Sequence, residues 1–309
     1  MWPALDAAVP PNGYAWWYID AVSDGGKDAL TLIAFVGSVF SPYYARARRR
    51  GSADPFDHCA LNVALYGNAR RWTMTERGRK RVRRDENALH IGPSRVSWHD
   101  ARFVADIDEI SVPFPARVRG RVQVTPIVRC ARSWCLDASG LHRWQPLAPV
   151  VRVEVDLQAP EVHWSGTGYL DTNCGDEPLE NGFAGWHWAR TPLPGDRTIV
   201  TYELHSRAGK QRGLGVDIDA QGTPREFVIP ESTVLPATLW RVERRAHCGW
   251  HAARLEKTLE DTPFYARSLL ASTICGERAL TIHESLSLER FRSRWVQMLL
   301  PFRMPRAAG

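Results

Sequence analysis

What most constrains this sequence is a two-residue alternation of apolar and polar side chains, broken by turn chemistry about every ten residues. It is cleanest in VVRVEVDL, where Val151, Val153 and Val155 alternate with Arg152, Glu154 and Asp156. Side chains two apart in a strand share a face, so this stretch has one dry side and one wet side. AWWYIDAVSDGGKDALTLIAFVG reads as a hairpin on the same logic, with Asp24, Gly25 and Gly26 supplying the positive-φ residues of a tight turn. Further turns stand at residues 137–140, 194–196, 208–210 and 220–222. Helical spacing is scarce. Residues 43–56 read as an exposed basic loop with room for one short helix before Gly51, and residues 76–86 as a second solvated stretch. The pattern predicts an all-β chain of antiparallel hairpins.

At 309 residues the chain is long enough for two such domains. The Pro- and Gly-interrupted RTPLPGDRT sets the expected boundary near residue 192, giving domains 1–192 and 193–309, each a β-sandwich or a barrel that manages its own edges. A net charge of +6 favours anionic partners. No nucleic-acid module is recognisable, so acidic lipid headgroups are expected and nucleic acid is not. Thirteen tryptophans suit either an apolar binding cavity or core packing. Six cysteines without a close CxxC pair, and a start lacking the basic and apolar regions of a secretory leader, predict free thiols in a reducing cytoplasm. The longest apolar run, residues 29–40, is too short to span a bilayer.

Motifs for the commonest chemistries are missing. There is no GxSxG elbow, no GxGxxG after a strand and no phosphate-cradling GxxxxGK. His58-Cys59 and His247-Cys248 would face opposite ways in strands, and a His247/His251 pair would need a helix. No metal and no cofactor are therefore expected.

The chemistry that remains centres on GTGYLDTNCGDEPLENGFAGWHWAR, residues 166–190. If TGYLDTN is extended, Tyr169 and Asp171 project from one face, as do His142 and Trp144 in LHRWQPL. Asp171 reads either as a site acid or as a turn carboxylate beside Asn173 and Gly175, and His142 either as a site base or as a histidine held by the preceding turn. Trp186 and Trp188 share a face with Arg190 while His187 points the other way, an arrangement that fits a ligand wall or a core equally. The end of the chain, LERFRSRWVQMLLPFRMPRAAG, mixes Arg290, Arg292, Arg294, Arg303 and Arg306 with Phe291, Trp295, Leu299, Leu300 and Phe302. This is the composition of a segment resting on an anionic membrane, or of a last strand and a solvated tail.

Taken in order, WWYIDAVSD, IAFVGSVFSPYY, CALNVALYG, RWTMTERG, HIGPS and GYLDTNCGDEPLENGFAGWHWAR resemble the hydroxyneurosporene synthase family, the carotenoid 1,2-hydratases of photosynthetic bacteria. The resemblance implies a calycin-like fold of two lipocalin-related β-domains and a cofactor-independent hydro-lyase. It implies an acyclic carotene substrate, neurosporene or lycopene, hydrated at its terminal 1,2 double bond, and a protein peripheral to the photosynthetic inner membrane. By motif it assigns the catalytic roles to the pairs His142/Trp144 and Tyr169/Asp171, while Trp186 and Trp188, from their shared face, are the candidate substrate contacts. Cys174 stands where related lipocalin-like sequences often carry tryptophan. The same scaffold serves pericyclases, isomerases and apolar-ligand carriers, so the fold by itself does not name the reaction.

Overall fold

The computed structural model describes residues 2–247 and 253–308, of which the greater part is strand, with little helix. Two compact units emerge: residues up to Leu179 together with those from Met298 onward, and Glu180–Gln297. The expected boundary near residue 192 lies instead at the end of the first strand of the second unit. RTPLPGDRT is a hairpin turn, its bend carried by Gly195 at φ 71° and Asp196 at φ 56°.

In the first unit twelve strands form one sheet that curls into a nearly closed barrel. They are β1 Tyr14–Ser23, β2 Ala29–Val36, β3 Cys59–Tyr66, β4 Arg71–Arg77, β5 Val82–Asp85, β6 Ala88–Ile91, β7 Ser94–His99, β8 Arg102–Ile110, β9 Arg117–Val128, β10 Trp134–Cys135, β11 His142–Ala159 and β12 Glu161–Gly175. The path runs β4-β3-β2-β1-β12-β11-β9-β8-β7-β6-β5, with β10 on β11 and every pairing antiparallel. The predicted first hairpin is present, turning through Gly26 at φ 68°. VVRVEVDL lies in β11 with Val151, Val153 and Val155 in the core and Glu154 and Asp156 exposed. One face of the sheet is the core: Ala15, Trp17, Ile19 and Ala21 of β1 pack with Leu30, Leu32, Val151, Val153 and Leu170. Helix α1, Pro42–Arg48, precedes Gly51 and is capped by the Ser41 hydroxyl, which accepts from the Tyr43 and Tyr44 amides.

Residues 76–86 are only partly solvated. Glu76 and Arg77 end β4 in the interior, where Arg77 pairs with Glu109 at 2.7 Å and Glu76 with His58 and Arg306. A buried ion needs such partners, and neither was visible in the local composition.

The short α2, Leu179–Gly182, leads into the second unit. Its strands are β13 Phe183–Leu193, β14 Arg197–Ser206, β15 Gln211–Ile218, β16 Pro224–Phe227, β17 Ser232–Val234, β18 Arg245–His247, β19 Arg254–Asp261, β20 Tyr265–Ile274 and β21 Glu277–Ser287. Seven of them form a sheet in the order β16-β15-β14-β13-β21-β20-β19, while β17 and β18 pair separately. The chain closes with α3 Leu288–Arg292 and α4 Arg294–Leu299, so the C-terminal segment is helical and not a last strand. No helix among the described residues is long and apolar enough to cross a membrane. Cys59, Cys130, Cys135, Cys174 and Cys275 are free thiols; Cys248 and His251 lie outside the described residues.

Candidate functional site

On the face of the first sheet opposite the core, β1 presents Tyr14, Trp16, Tyr18 and Asp20, the alternates of its apolar residues. Directly opposed on β12 are Gly175, Asn173, Asp171 and Tyr169. The next strand, β11, sets His142 against Gly175 and Trp144 against Asn173. TGYLDTN is therefore extended, not a turn, and its neighbours bring the two sequence-predicted pairs onto one surface. These residues are buried: Asp20, His142 and Tyr169 are each 0% exposed and Asp171 is 4%.

Trp144 stands one pair along from Asp171 and reaches it diagonally, its indole Nε1–H donating to Asp171 Oδ2 at 2.8 Å. Beyond Trp144 the register of β11 slips between Gln145 and Ala148, at the level of Asp171. Bulges of this kind re-aim side chains beside functional sites. The Tyr18 hydroxyl donates to Asp20 Oδ2 at 3.1 Å, and its ring meets Tyr169 edge-on at 6.4 Å. Trp134 tilts against Trp144 at 5.2 Å.

His142 is held from several sides. Its backbone N–H donates to Asp137 Oδ1 at 2.8 Å, Nδ1 lies 2.9 Å from the Tyr14 hydroxyl, and Nε2 lies 3.3 Å from Glu177 Oε1. Burial is the main influence on the ring and lowers its pKa, against the opposing pull of Asp137 and Glu177. For the neutral ring, a carboxylate at Nε2 requires the proton there, so Nδ1 accepts from the Tyr14 O–H. Burial also raises the Tyr169 phenol well above its ordinary value, and the charge of neighbouring Asp171 adds to the effect.

Two glycines of the GTGYLDTNCG segment allow this surface to form. A Cβ on Gly168 would stand 2.2 Å from the Asp20 carbonyl oxygen. One on Gly175 would stand 2.4 Å from Tyr14 Cε1 and 2.7 Å from His142 Nδ1. Trp186 and Trp188 lie on β13 of the second unit, both buried, with Trp186 edge-on to Tyr202 at 5.9 Å. His187 projects from the opposite face, as its spacing predicts, and faces Glu203 and Ser285.

Sequence reasoning missed Tyr14, Trp16, Tyr18 and Asp20, and also Glu177. The signal for the first four was there: AWWYID alternates polar aromatics with apolar residues, but only the strand partner identifies which alternate belongs to the site. His58 Nδ1 lies 3.0 Å from Glu76 Oε1 and His247 Nε2 2.8 Å from Glu203 Oε2, contacts with carboxylates that the His-Cys neighbours in the sequence did not suggest.

Residues 32–309 match the family model described as carotenoid hydratase CrtC. The acyclic carotenoid 1,2-hydratase of Thiocapsa roseopersicina is 52% identical over 310 residues, covering 99% of this chain and 76% of that protein. The acyclic carotenoid 1,2-hydratase of Rubrivivax gelatinosus is 48% identical over 311 residues, with the same coverage of 99% and 76%. Among solved structures, an AttH protein of Nitrosomonas europaea superposes with a TM-score of 0.59 at 14% identity, over 92% of this chain and 98% of that one. This last likeness speaks for the fold alone, a lipocalin-like pair of β-domains. With the family pattern running through most of its length and relatives sharing about half of its residues, the chain belongs to the CrtC carotenoid hydratase family.

Proposed function

We propose that this chain adds water across the terminal 1,2 double bond of acyclic carotenes such as neurosporene and lycopene, giving tertiary 1-hydroxy carotenoids, with Asp171 as the proton donor. The supporting observation is the Asp171 carboxyl itself, almost fully buried among aromatic rings and oriented by the Trp144 indole. Burial disfavours the carboxylate anion, which is the condition a donor to an unactivated alkene needs. The π electrons take the Asp171 proton at the less substituted carbon, and a tertiary cation forms at its neighbour. Trp144 and Tyr169 offer π faces to that cation, each desolvated contact worth on the order of 2 kcal/mol, more than tenfold in rate.

Water then attacks the cation and must lose a proton. His142 is the acceptor: Tyr14 takes the proton of the water oxygen while its own passes to Nδ1, across the 2.9 Å contact. Return of that proton to Asp171 closes the cycle, with no net change but the added water. Trp186 and Trp188 are proposed as walls for the polyene.

We also propose that the protein meets its substrate at a membrane. Trp295, Met298 and Leu299 of α4 are exposed at the i, i+3, i+4 spacing of one helical face, and Phe302 in the following 3-10 turn, Leu300–Phe302, is exposed too, while Val296 and Leu300 are buried. The occupant is a lipid surface because the substrate class is itself lipid-soluble.

The test is incubation of the purified chain with neurosporene or lycopene in lipid and isotopically labelled water, followed by mass analysis. One added water carrying the label is expected. Asp171→Asn should form no product while still binding carotene and keeping its β-sheet circular dichroism. An unaltered carotene that copurifies would favour a carrier, and a product of unchanged mass an isomerase.

A further inference from the structure

The second unit gathers imidazoles around one carboxylate. His187 of β13 lies directly opposite Glu203 of β14, and Glu203 and His205, two residues apart, share that face. Ligand-capable atoms of His187, Glu203 and His205 all lie within 4.8 Å of one another. His205 Nε2 is 3.1 Å from Glu203 Oε1. Donors around a tetrahedral ion at ~2.1 Å stand roughly 3.4 Å apart, a spacing that small tilts of these rings reach. The rings of His187 and His205 are nearly perpendicular, at 80° with centroids 5.4 Å apart, so they approach the carboxylate from different directions.

The surroundings hold these groups as outer-shell partners hold metal ligands. Ser285 Oγ lies 2.8 Å from His187 Nδ1; with the N–H donating there, the Nε2 lone pair is left for a ligand. His247 Nε2 lies 2.8 Å from Glu203 Oε2, and its Nδ1 donates to the Pro230 carbonyl at 2.6 Å. That contact fixes one carboxylate oxygen and leaves Oε1 beside His205. An anionic carboxyl 8% exposed on a sheet face calls for cations close by.

We propose that His187, Glu203 and His205 bind a divalent transition metal, with zinc the ion whose donor preferences they match: two imidazoles, one carboxylate and a fourth position for water. Because His187 comes from β13 and the other two from β14, the ion ties neighbouring strands together. The expectation of no metal weighed His58-Cys59, His247-Cys248 and His247/His251; this site instead joins one residue of β13 to two of β14, a pairing that depends on strand register.

The test uses the full chain, stripped with a chelator and dialysed against cobalt(II) as a spectroscopic stand-in for zinc. Stoichiometric uptake with tetrahedral visible absorption is expected, together with a higher thermal midpoint when zinc is added. His205→Ala and His187→Ala should each lose the absorption and the zinc-dependent midpoint shift. Should either fail to fold, Ser285→Ala keeps the question answerable, with metal affinity falling about 10- to 100-fold. A wild-type chain that takes up no cobalt, or uptake unchanged in these variants, overturns the proposal.

Discussion

At the scale of single residues, the Asp171 carboxyl has a donor that can be removed without removing the ring. Trp144→Phe keeps an aromatic face and deletes the N–H that meets Asp171 Oδ2 at 2.8 Å. A hydrogen bond to a charged or ionisable group is worth about 1.5–3 kcal/mol, so turnover should fall about 10- to 100-fold with the fold intact. Steady-state kinetics beside circular dichroism decide it; an unimpaired variant means that the indole N–H does not orient the acid. His142 supplies a pH prediction. In the proposed mechanism its neutral form is the base, and burial holds its pKa below the ordinary histidine value of 6.5. Activity should hold at pH 6.5, where an ordinary histidine is half charged, and fall only as the pH drops through the lowered value. Glu177 favours the charged ring, so Glu177→Gln should move this acid limb further down. A limb at or above pH 6.5, or one indifferent to Glu177, would remove His142 as the acceptor. The pairing of Tyr169 with Asp171 was legible from strand period alone, because two residues apart means one face. Asp20 and Tyr14 were not legible, because their membership depends on the register of β1 against β12, a contact across more than a hundred residues.

At the scale of elements, the surface is a property of three strands in register, and Gly175 lies on the middle one of them. Tyr14 is its partner on one side and His142 on the other. Gly175→Ala would drive a methyl group to 2.4 Å from the Tyr14 ring and 2.7 Å from His142 Nδ1. Either the rings part or the strands do. Overpacking of this kind costs about 1–3 kcal/mol of stability. A shift near 1 Å in a catalytic contact costs roughly 100-fold in rate, so activity should fall much further than the thermal midpoint. Equal losses in both, in a variant assayed well below its melting point, would mean that Tyr14 and His142 matter only to folding. The hairpins themselves were readable because Gly26, Gly195, Gly209 and Gly222 mark turns by composition and adopt positive φ. The unit boundary was not, since the same Pro-Gly chemistry serves a turn inside a sheet and a linker between units.

For the whole molecule, the question is how a chain with a net charge of +6 meets a substrate that resides in lipid. The C-terminal composition suggested arginines and aromatics acting together, and the structure separates their roles. Arg290 donates to the carbonyls of Trp240 and Arg241, Arg303 lies over the Trp72 ring at 4.3 Å, and Arg306 pairs with Asp57 and Glu76. Phe291 and Leu300 are likewise interior. The outward groups are apolar: Trp295, Met298, Leu299 and Phe302, with Arg292 and Arg294 exposed along the same segment. Composition could not make this division, because it does not say which arginines have carbonyls and carboxylates to hold. Fewer outward charges and more outward apolar area should make binding largely hydrophobic. In vesicle co-sedimentation the protein should therefore bind neutral vesicles, gain modestly from anionic lipid, and lose only that gain when salt shortens the screening length to about 3 Å at 1 M. Trp295→Ser combined with Phe302→Ser should release it from both kinds of vesicle. Binding that vanishes in salt, or that survives the double substitution, would place the lipid contact on another surface.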